Sequence, residues 1–291
     1  MSIRVGVVGT SYWATRVHAP AVATASRVML AGIWGRDLAK ARAAAEQLGC
    51  PGTDDLDALL GSCDAITIAV PPEAQGPIAL RAIDAGKHLL LEKPVTLEAA
   101  SSAQIAARAS RARLSTLVFF THRFMPQQAR WVHECQEHPW QAASVEWTFD
   151  IDAPGSRFAP GNWRGEVGGL WDLGPHALSL LVPILGDVVD VADASVDRRG
   201  TVRCQVEHQS GAWSQLVLGV QEPRAMMRVS VGDQVGWSTM PKVTTERVVA
   251  MGIAIDTWVD LINSGTVEHG LDAGFGARID AMLADIAQCV V

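Results

Sequence analysis

Val5-Gly6-Val7-Val8-Gly9-Thr10-Ser11-Tyr12-Trp13-Ala14 is the stretch that decides the fold of this chain. A β-branched apolar run breaks at a glycine and passes into small and aromatic residues, which reads as a strand turning into a helix. The spacing approximates the dinucleotide fingerprint G-x-G-x-x-G/A, with Gly9 first, Ser11 second and Ala14 third. The first glycine permits a tight turn and the third small residue permits close packing of helix on strand. At the second place a pyrophosphate normally approaches the backbone; Ser11 narrows that gap, although its hydroxyl can itself donate to phosphate. The helix amino terminus, carrying Thr10 to Trp13, adds amide donors and a dipole that favours an anion.

Outward from this turn the first part of the chain alternates strand and helix. Ile3–Val8 reads as a strand, followed by a helix from about Ala14 to Ala23 with Pro20 inside it. Val28–Trp34 is a second strand, and the alanine-rich Asp37–Leu48 a helix stopped by Gly49. Ala65–Val70 is a third strand ended by Pro71-Pro72, and Pro77–Ala85 a helix ended by Gly86. His88–Leu91 and Thr116–Phe120 are further strands, with the helix Thr96–Arg111 between them. This rhythm means βαβ units and a doubly wound parallel sheet.

After residue 121 the pattern changes to alternating stretches: Ala143–Phe149, Thr201–His208, Trp213–Val220 and Ala225–Val231. These read as an open, largely antiparallel sheet with one face covered, closed by an amphipathic helix over Leu271–Ala287. The expectation is two α/β domains, residues 1–121 binding a dinucleotide and residues 122–291 binding substrate and mediating assembly.

With 48% hydrophobic and 19% charged residues, the composition is that of a globular chain rather than a disordered one. A net charge of −7 argues against nucleic acid or anionic membranes as partners. The start reads as a strand rather than a leader, and no apolar run is long enough to span a bilayer. Cys50, Cys63, Cys135, Cys204 and Cys289 are odd in number and scattered, so reduced thiols and a cytoplasmic location are expected.

The second strand ends in Trp34-Gly35-Arg36-Asp37, where an NAD-selective site wants a carboxylate for the ribose hydroxyls. Gly35 leaves room and Arg36 can pair with a 2′-phosphate as a bidentate fork, while Asp37 reads best as the cap of the next helix. NADP is therefore favoured, with NAD possible. Leu89-Leu90-Leu91-Glu92-Lys93-Pro94 places a lysine at the carboxyl end of a buried strand, where open α/β sheets bind ligands. A buried lysine there can exchange a proton with a substrate hydroxyl. In Gly168-Gly169-Leu170-Trp171-Asp172-Leu173-Gly174-Pro175-His176, Asp172 and His176 are four apart and share one face of a helix. They read either as a proton relay or as a helix-end carboxylate beside a satisfied histidine.

His133-Glu134-Cys135-Gln136-Glu137-His138 holds metal-ligand residue types without a metal-site spacing, so a polar helix end is preferred and no metal is expected. Tyr12 is the single tyrosine and no lysine follows four residues later, which excludes a Tyr-x-x-x-Lys base. No G-x-S-x-G elbow is present either.

Taken together, Gly9-Thr10-Ser11-x-Trp13-Ala14, Ala69-Val70-Pro71-Pro72, Gly86-Lys87-His88 leading into Glu92-Lys93-Pro94, and Gly168-Gly169-x-x-Asp172-x-Gly174-x-His176 resemble the glucose–fructose oxidoreductase/inositol dehydrogenase (Gfo/Idh/MocA) family. The resemblance covers essentially the whole length. It implies an N-terminal Rossmann domain, a C-terminal α/β domain whose open sheet mediates a homodimer or homotetramer, and NAD(P)-dependent oxidation or reduction of a sugar, cyclitol or similar carbonyl compound. By position it implies that Lys93 binds the reacting hydroxyl, Asp172 holds substrate and His176 is the general acid/base. Glu92 and Pro94 would shape the nicotinamide pocket, and Pro71 and Pro72 would border the cofactor. His122 and Arg123 would contact substrate or support the site, and Asn162, Trp163 and Arg164 could line the substrate pocket. Two departures stand out: Ser11 replaces a glycine, and Gln75 stands where many members carry a histidine and would alter the contacts to the ribose. Two other classes remain open, a non-catalytic nucleotide-sensing regulator and an NAD-assisted elimination at a glycosidic bond.

Overall fold

The first six strands run parallel in the order β3-β2-β1-β4-β5-β6, the order of a dinucleotide-binding sheet. They are β1 (Ile3–Val8), β2 (Val28–Trp34), β3 (Gly52–Thr53), β4 (Ala65–Ile68), β5 (His88–Leu91) and β6 (Thr116–Val118). The structure, a computed structural model, describes residues 2–154, 156 and 163–291. Val7, Val8, Ile66, Ile68 and Leu89 to Leu91 are fully buried, because helices cover both faces and the central strands are mostly apolar on both sides.

The connecting helices are α1 (Ala19–Thr24), α2 (Leu38–Glu46), α3 (Leu56–Ser62), α4 (Pro72–Asp84) and α5 (Ala99–Arg111). A π-helical turn, Ala14–His18, leads into α1, and the Ala19 amide bonds back to the Ala14 carbonyl. Pro20 explains it: proline has no N–H for a carbonyl four residues back and crowds that carbonyl, so the preceding turn widens. Asp37 caps α2 as expected, its Oδ1 accepting from the amides of Ala39 (3.0 Å) and Lys40 (3.2 Å). Helix α4 begins at Pro72, five residues before the expected start at Pro77, and carries Pro77 inside it. Pro72 suits the first turn, where no N–H needs a partner, and Pro77 so near the start forfeits a single helical bond.

The second sheet is mixed and mostly antiparallel, in the order β12-β11-β7-β10-β9-β8, with β7 and β10 as its one parallel pair. Its strands are β7 (Ala142–Asp150), β8 (Val188–Val196), β9 (Val202–His208), β10 (Trp213–Gly219), β11 (Gln221–Gly232) and β12 (Trp237–Thr239). Two helices accompany it in this region, α6 (Pro126–Cys135) and α7 (Trp163–Leu185). Val145, Trp147, Val206, Leu216, Leu218, Val229 and Val231 are buried, whereas the alternate row runs Arg228, Glu146, Val217, Arg203 in register.

By contact clustering the chain forms two units, Met1–Phe124 with Thr245–Arg278, and Met125–Thr244 with Ile279–Val291. The sequence division at residue 121 puts everything after it in the second part. The chain instead returns to the first unit through α8 (Arg247–Ser264) and the first turns of α9 (Ala273–Cys289). Trp258 of α8 is fully buried there, and Gly276 of α9 lies against Val95 and Val118. No helix among the described residues is long and apolar enough to cross a membrane.

Candidate active site

In the first unit, a pocket of about 510 Å³ opens at the carboxyl ends of β1, β2 and β4, the switch point of the sheet. Gly9, Thr10, Ser11, Gly35, Arg36 and Pro71 of the expected cofactor residues line it. Gly9 holds a φ of +128°, and a β-carbon there would run into the carbonyl oxygen of Ala69, so only glycine suits the turn. Tyr12 and Trp13 are not among the lining residues. Tyr12 is 39% exposed and meets Trp13 edge to face, and the Arg247 guanidinium lies 5.9 Å from the Trp13 ring centroid. Arg36 is exposed at the pocket edge and, among the described residues, has no ion-pair partner.

Lys40 also lines this pocket and was missed by the sequence reading. Its ammonium lies 3.8 Å from Asp37 Oδ2. The signal was available: Lys40 stands four residues after Arg36, one turn into a helix capped by Asp37. Thr10 and Ser11 hydroxyls, a helix amino terminus and two cations make a donor set that fits the phosphates of a dinucleotide.

Lys93 follows β5 and is only 5% exposed; the Lys93–Pro94 peptide is cis. Around it two of the expected site residues have partners within the protein. Gln75, expected at the ribose, is fully buried on α4 and spends its amide on the Glu92–Val95 backbone. Glu92, expected as a pocket wall, is buried and paired: its Oε1 meets His18 Nε2 at 3.0 Å. Pro72 is buried as well, leaving Pro71 at the rim. His122 and Arg123 lie in a short 3-10 helix, Thr121–Phe124, after β6; burial draws the Arg123 guanidinium down to about 10. That group stays cationic at neutral pH in a poorly hydrated place.

In the second unit, Asp172 and His176 both lie buried on α7. Gly168, at φ +75°, breaks the helical path, so Asp172 falls in the first turns after the break. Asp172 Oδ1 accepts from Arg164 Nε at 3.0 Å, and the Arg164 guanidinium stacks 4.5 Å from the Trp163 ring centroid. His176 stacks on Trp147 of β7, with centroids 5.6 Å apart and planes at 24°. Trp163, Arg164 and Asp172 thus form one set of contacts, and His176 with Trp147 another. Asn162 lies outside the described residues. Three residues past the end of α6, His138 Nε2 meets Asp233 Oδ2 at 2.6 Å.

A parallel sheet with a phosphate-suited pocket at its switch point defines a dinucleotide-binding architecture; the first unit adds a buried lysine at a strand end, and the second a buried Asp172 and His176 on one helix. Residues 3–120 match the model of the GFO_IDH_MocA oxidoreductase family, with its NAD-binding Rossmann fold, and this part of the chain belongs to that family. It is 32% identical over 209 residues to a dTDP-3,4-didehydro-2,6-dideoxy-alpha-D-glucose 3-reductase of Streptomyces violaceoruber, a match covering 69% of this chain. The chain spans 60% of the length of that reductase. It is also 29% identical over 232 residues to D-xylose 1-dehydrogenase (NADP(+)) 2 of Haloferax volcanii, covering 75% of this chain and 70% of that enzyme. The solved structure of UDP-N-acetylglucosamine 3-dehydrogenase from Acidithiobacillus ferrooxidans superposes with a TM-score of 0.85 at 20% identity, covering 100% of this chain and 98% of that one. At such identity the likeness is one of fold.

Proposed function

We propose that this chain is an NADP(H)-preferring oxidoreductase that interconverts a hydroxyl and a carbonyl on a sugar, cyclitol or related small molecule. The observation that carries the reading is Lys93: a lysine 5% exposed at the end of a strand whose sheet holds the dinucleotide pocket. Gly9, Thr10, Ser11, Gly35, Arg36, Lys40 and Pro71 are the residues assigned to the cofactor, and Arg36 with Lys40 supports the 2′-phosphate form. When bound, the nicotinamide supplies or accepts the hydride. Two relatives named for nucleotide-linked or free sugars, the 3-reductase and the xylose dehydrogenase, support a sugar as substrate.

The chain's own work is the proton. Reducing a carbonyl leaves an alkoxide, and stabilising that charge dominates the barrier. Lys93 and His176 are assigned to polarise the oxygen and deliver the proton to it. The flat stack on Trp147 fixes the plane of the His176 imidazole, and the ion pair with Arg164 fixes the Asp172 carboxylate, which is assigned to hold a substrate hydroxyl. Arg123, cationic and poorly hydrated, suits a polar or anionic group of the substrate, with His122 beside it. The second unit, Met125–Thr244 with Ile279–Val291, is assigned to substrate binding and to assembly into a homodimer or homotetramer, for which the row carrying Arg228, Glu146 and Arg203 offers a surface.

Lys93→Ala tests the reading. Turnover of NADPH with a keto-sugar panel is expected to fall on the order of 100- to 10,000-fold, the range of general acid–base catalysis. Affinity for NADPH is expected to hold. Equal loss of turnover and affinity would remove Lys93 from the chemistry and leave it a structural lysine.

A further inference from the structure

Gln75 reaches across the backbone on both sides of Lys93. Its Nε2 lies 2.7 Å from the Glu92 carbonyl, 3.1 Å from the Pro94 carbonyl and 3.0 Å from the Val95 carbonyl, while its Oε1 accepts from the Glu92 amide at 2.9 Å. A primary amide is the neutral side chain that donates twice and accepts at once, which this segment demands. The partners stand 17 to 20 residues away in sequence, so the contact is made by the fold and not by local geometry.

A second brace reaches the same segment from the other side of the sheet. His18 is fully buried, with Nδ1 at 2.7 Å from Thr67 Oγ1 and Nε2 at 3.0 Å from Glu92 Oε1. The other oxygen of Glu92, Oε2, accepts from the Lys93 amide at 3.3 Å. A proton on Nε2 satisfies the whole chain, Thr67 donating to His18 and His18 to the Glu92 carboxylate. His18 sits at the last position of the π-helical turn ahead of Pro20. Wide turns of this kind recur at functional sites.

We propose that Gln75 and the His18–Glu92 pair are positioning residues that fix the direction in which Lys93 leaves its strand. Neither group is assigned to the reacting atoms. The inference rests on the reading of Lys93 as the group that handles the substrate proton. Gln75 lies on α4, whose first residues close the cofactor pocket, so the helix that borders the dinucleotide also sets the lysine. A displacement of about 1 Å at a reacting group costs on the order of 100-fold in rate.

The test uses the full chain labelled with 13C-lysine. Lys40, Lys87, Lys93 and Lys242 are its lysines, so the ε-methylene signals are few and Lys93 is assigned by its loss in Lys93→Arg. Gln75→Glu keeps the shape of the side chain but faces three carbonyls with an acceptor. The Lys93 signal is expected to move while those of Lys40 and Lys242 stay. With the sugar substrate, kcat is expected to fall on the order of 100-fold while the Kd for NADPH holds within about twofold. An unmoved Lys93 signal, or a Kd that rises in step with the fall in kcat, would overturn the inference in favour of a merely structural amide. If Gln75→Glu does not fold, Gln75→Asn, one methylene too short to span residues 92 and 95 together, is read the same way. If the wild-type chain turns over no sugar, the lysine signal alone decides the positioning role, and it is the proposed function that falls.

Discussion

Arg36→Ala should separate NADPH from NADH. The guanidinium stands at the edge of the switch-point pocket, exposed and without an ion-pair partner among the described residues, so its charge is available to a ligand. A hydrogen bond to a charged group contributes about 1.5–3 kcal/mol. Exposure screens the contact and favours the lower half of that range. Taking about 2 kcal/mol, removal of Arg36 weakens NADPH roughly 30-fold. Lys40, tethered toward Asp37 at 3.8 Å and more flexible, should contribute less when truncated alone. NADH lacks the phosphate and should change little with either substitution.

The assay is direct. Trp34 lines the same pocket, held by a bond from its Nε1 to the Asp54 carbonyl at 2.9 Å, so energy transfer from protein to nicotinamide reports occupancy. Raising salt from 0.1 to 1 M shortens the Debye length from about 10 to about 3 Å, which should erode the wild-type preference and leave Arg36→Ala nearly indifferent. Equal weakening of NADPH and NADH in the variant, or a wild-type preference for NADH, would refute the assignment of this end of the pocket to a 2′-phosphate.

Three further outcomes can be measured on the same protein. Arg164→Ala leaves the buried Asp172 carboxylate without its guanidinium and should cost about 3 kcal/mol in urea unfolding, while the double change Arg164→Met with Asp172→Leu should cost less. Burial holds the His208 imidazole below its usual range, with Nδ1 donating to the Gly186 carbonyl and Nε2 accepting from Ser214. The unfolded chain therefore takes up this proton first: stability is whole above about pH 6.5 and falls below it, by up to about 1.4 kcal/mol per pH unit for one proton. His208→Gln should flatten that slope between pH 6.5 and 5; an unchanged slope would assign it elsewhere, with His88, also lowered by burial, the next group to test. Arg4, through its hydrogen bonds, holds Asp64 down at about 2, so the melting temperature lost in Asp64→Asn should be full at neutral pH and vanish as pH falls from about 4 to 2.

What the sequence discloses depends on whether the signal is local. β1, β4 and β5 are dominated by apolar residues and are read at once, because a parallel sheet buried on both faces favours such runs. Asp37 was readable as a cap from its chemistry and its place ahead of an alanine-rich helix. The strand β3 is two residues long, and β8 interleaves Asp190 and Asp193 with its apolar residues, so neither announces itself. Helix α8 belongs to the first unit although more than a hundred residues separate it from that sheet, a placement no window of sequence carries. The site divides the same way. Lys93 is marked by a strand end and a proline, and Asp172 with His176 by helical spacing. Gln75 and His18 act through partners up to 74 residues away: Gln75 was marked in the sequence for the ribose and not for the Lys93 segment, and His18 was not marked at all.

The assigned chemical groups have a common physical arrangement within each unit. The Lys93 segment is held by Gln75 and by Glu92 on His18; Asp172 is held by Arg164, and the plane of His176 by Trp147. Removing a polar group from water costs several kcal/mol unless its hydrogen bonds are replaced, so each buried group needs a buried companion. Those companions then fix direction as well as energy, because a fully bonded amide or carboxylate has one geometry. A substitution in a companion should therefore lower stability and misplace the group it holds, and loss of activity by itself does not separate the two. Only a paired reading does so: an unfolding free energy for the first effect, and for the second a kcat that falls further than cofactor affinity does. For Gln75 that pair of readings should diverge, and for a core residue such as Leu90, which holds no reactive segment by hydrogen bonds, they should move together.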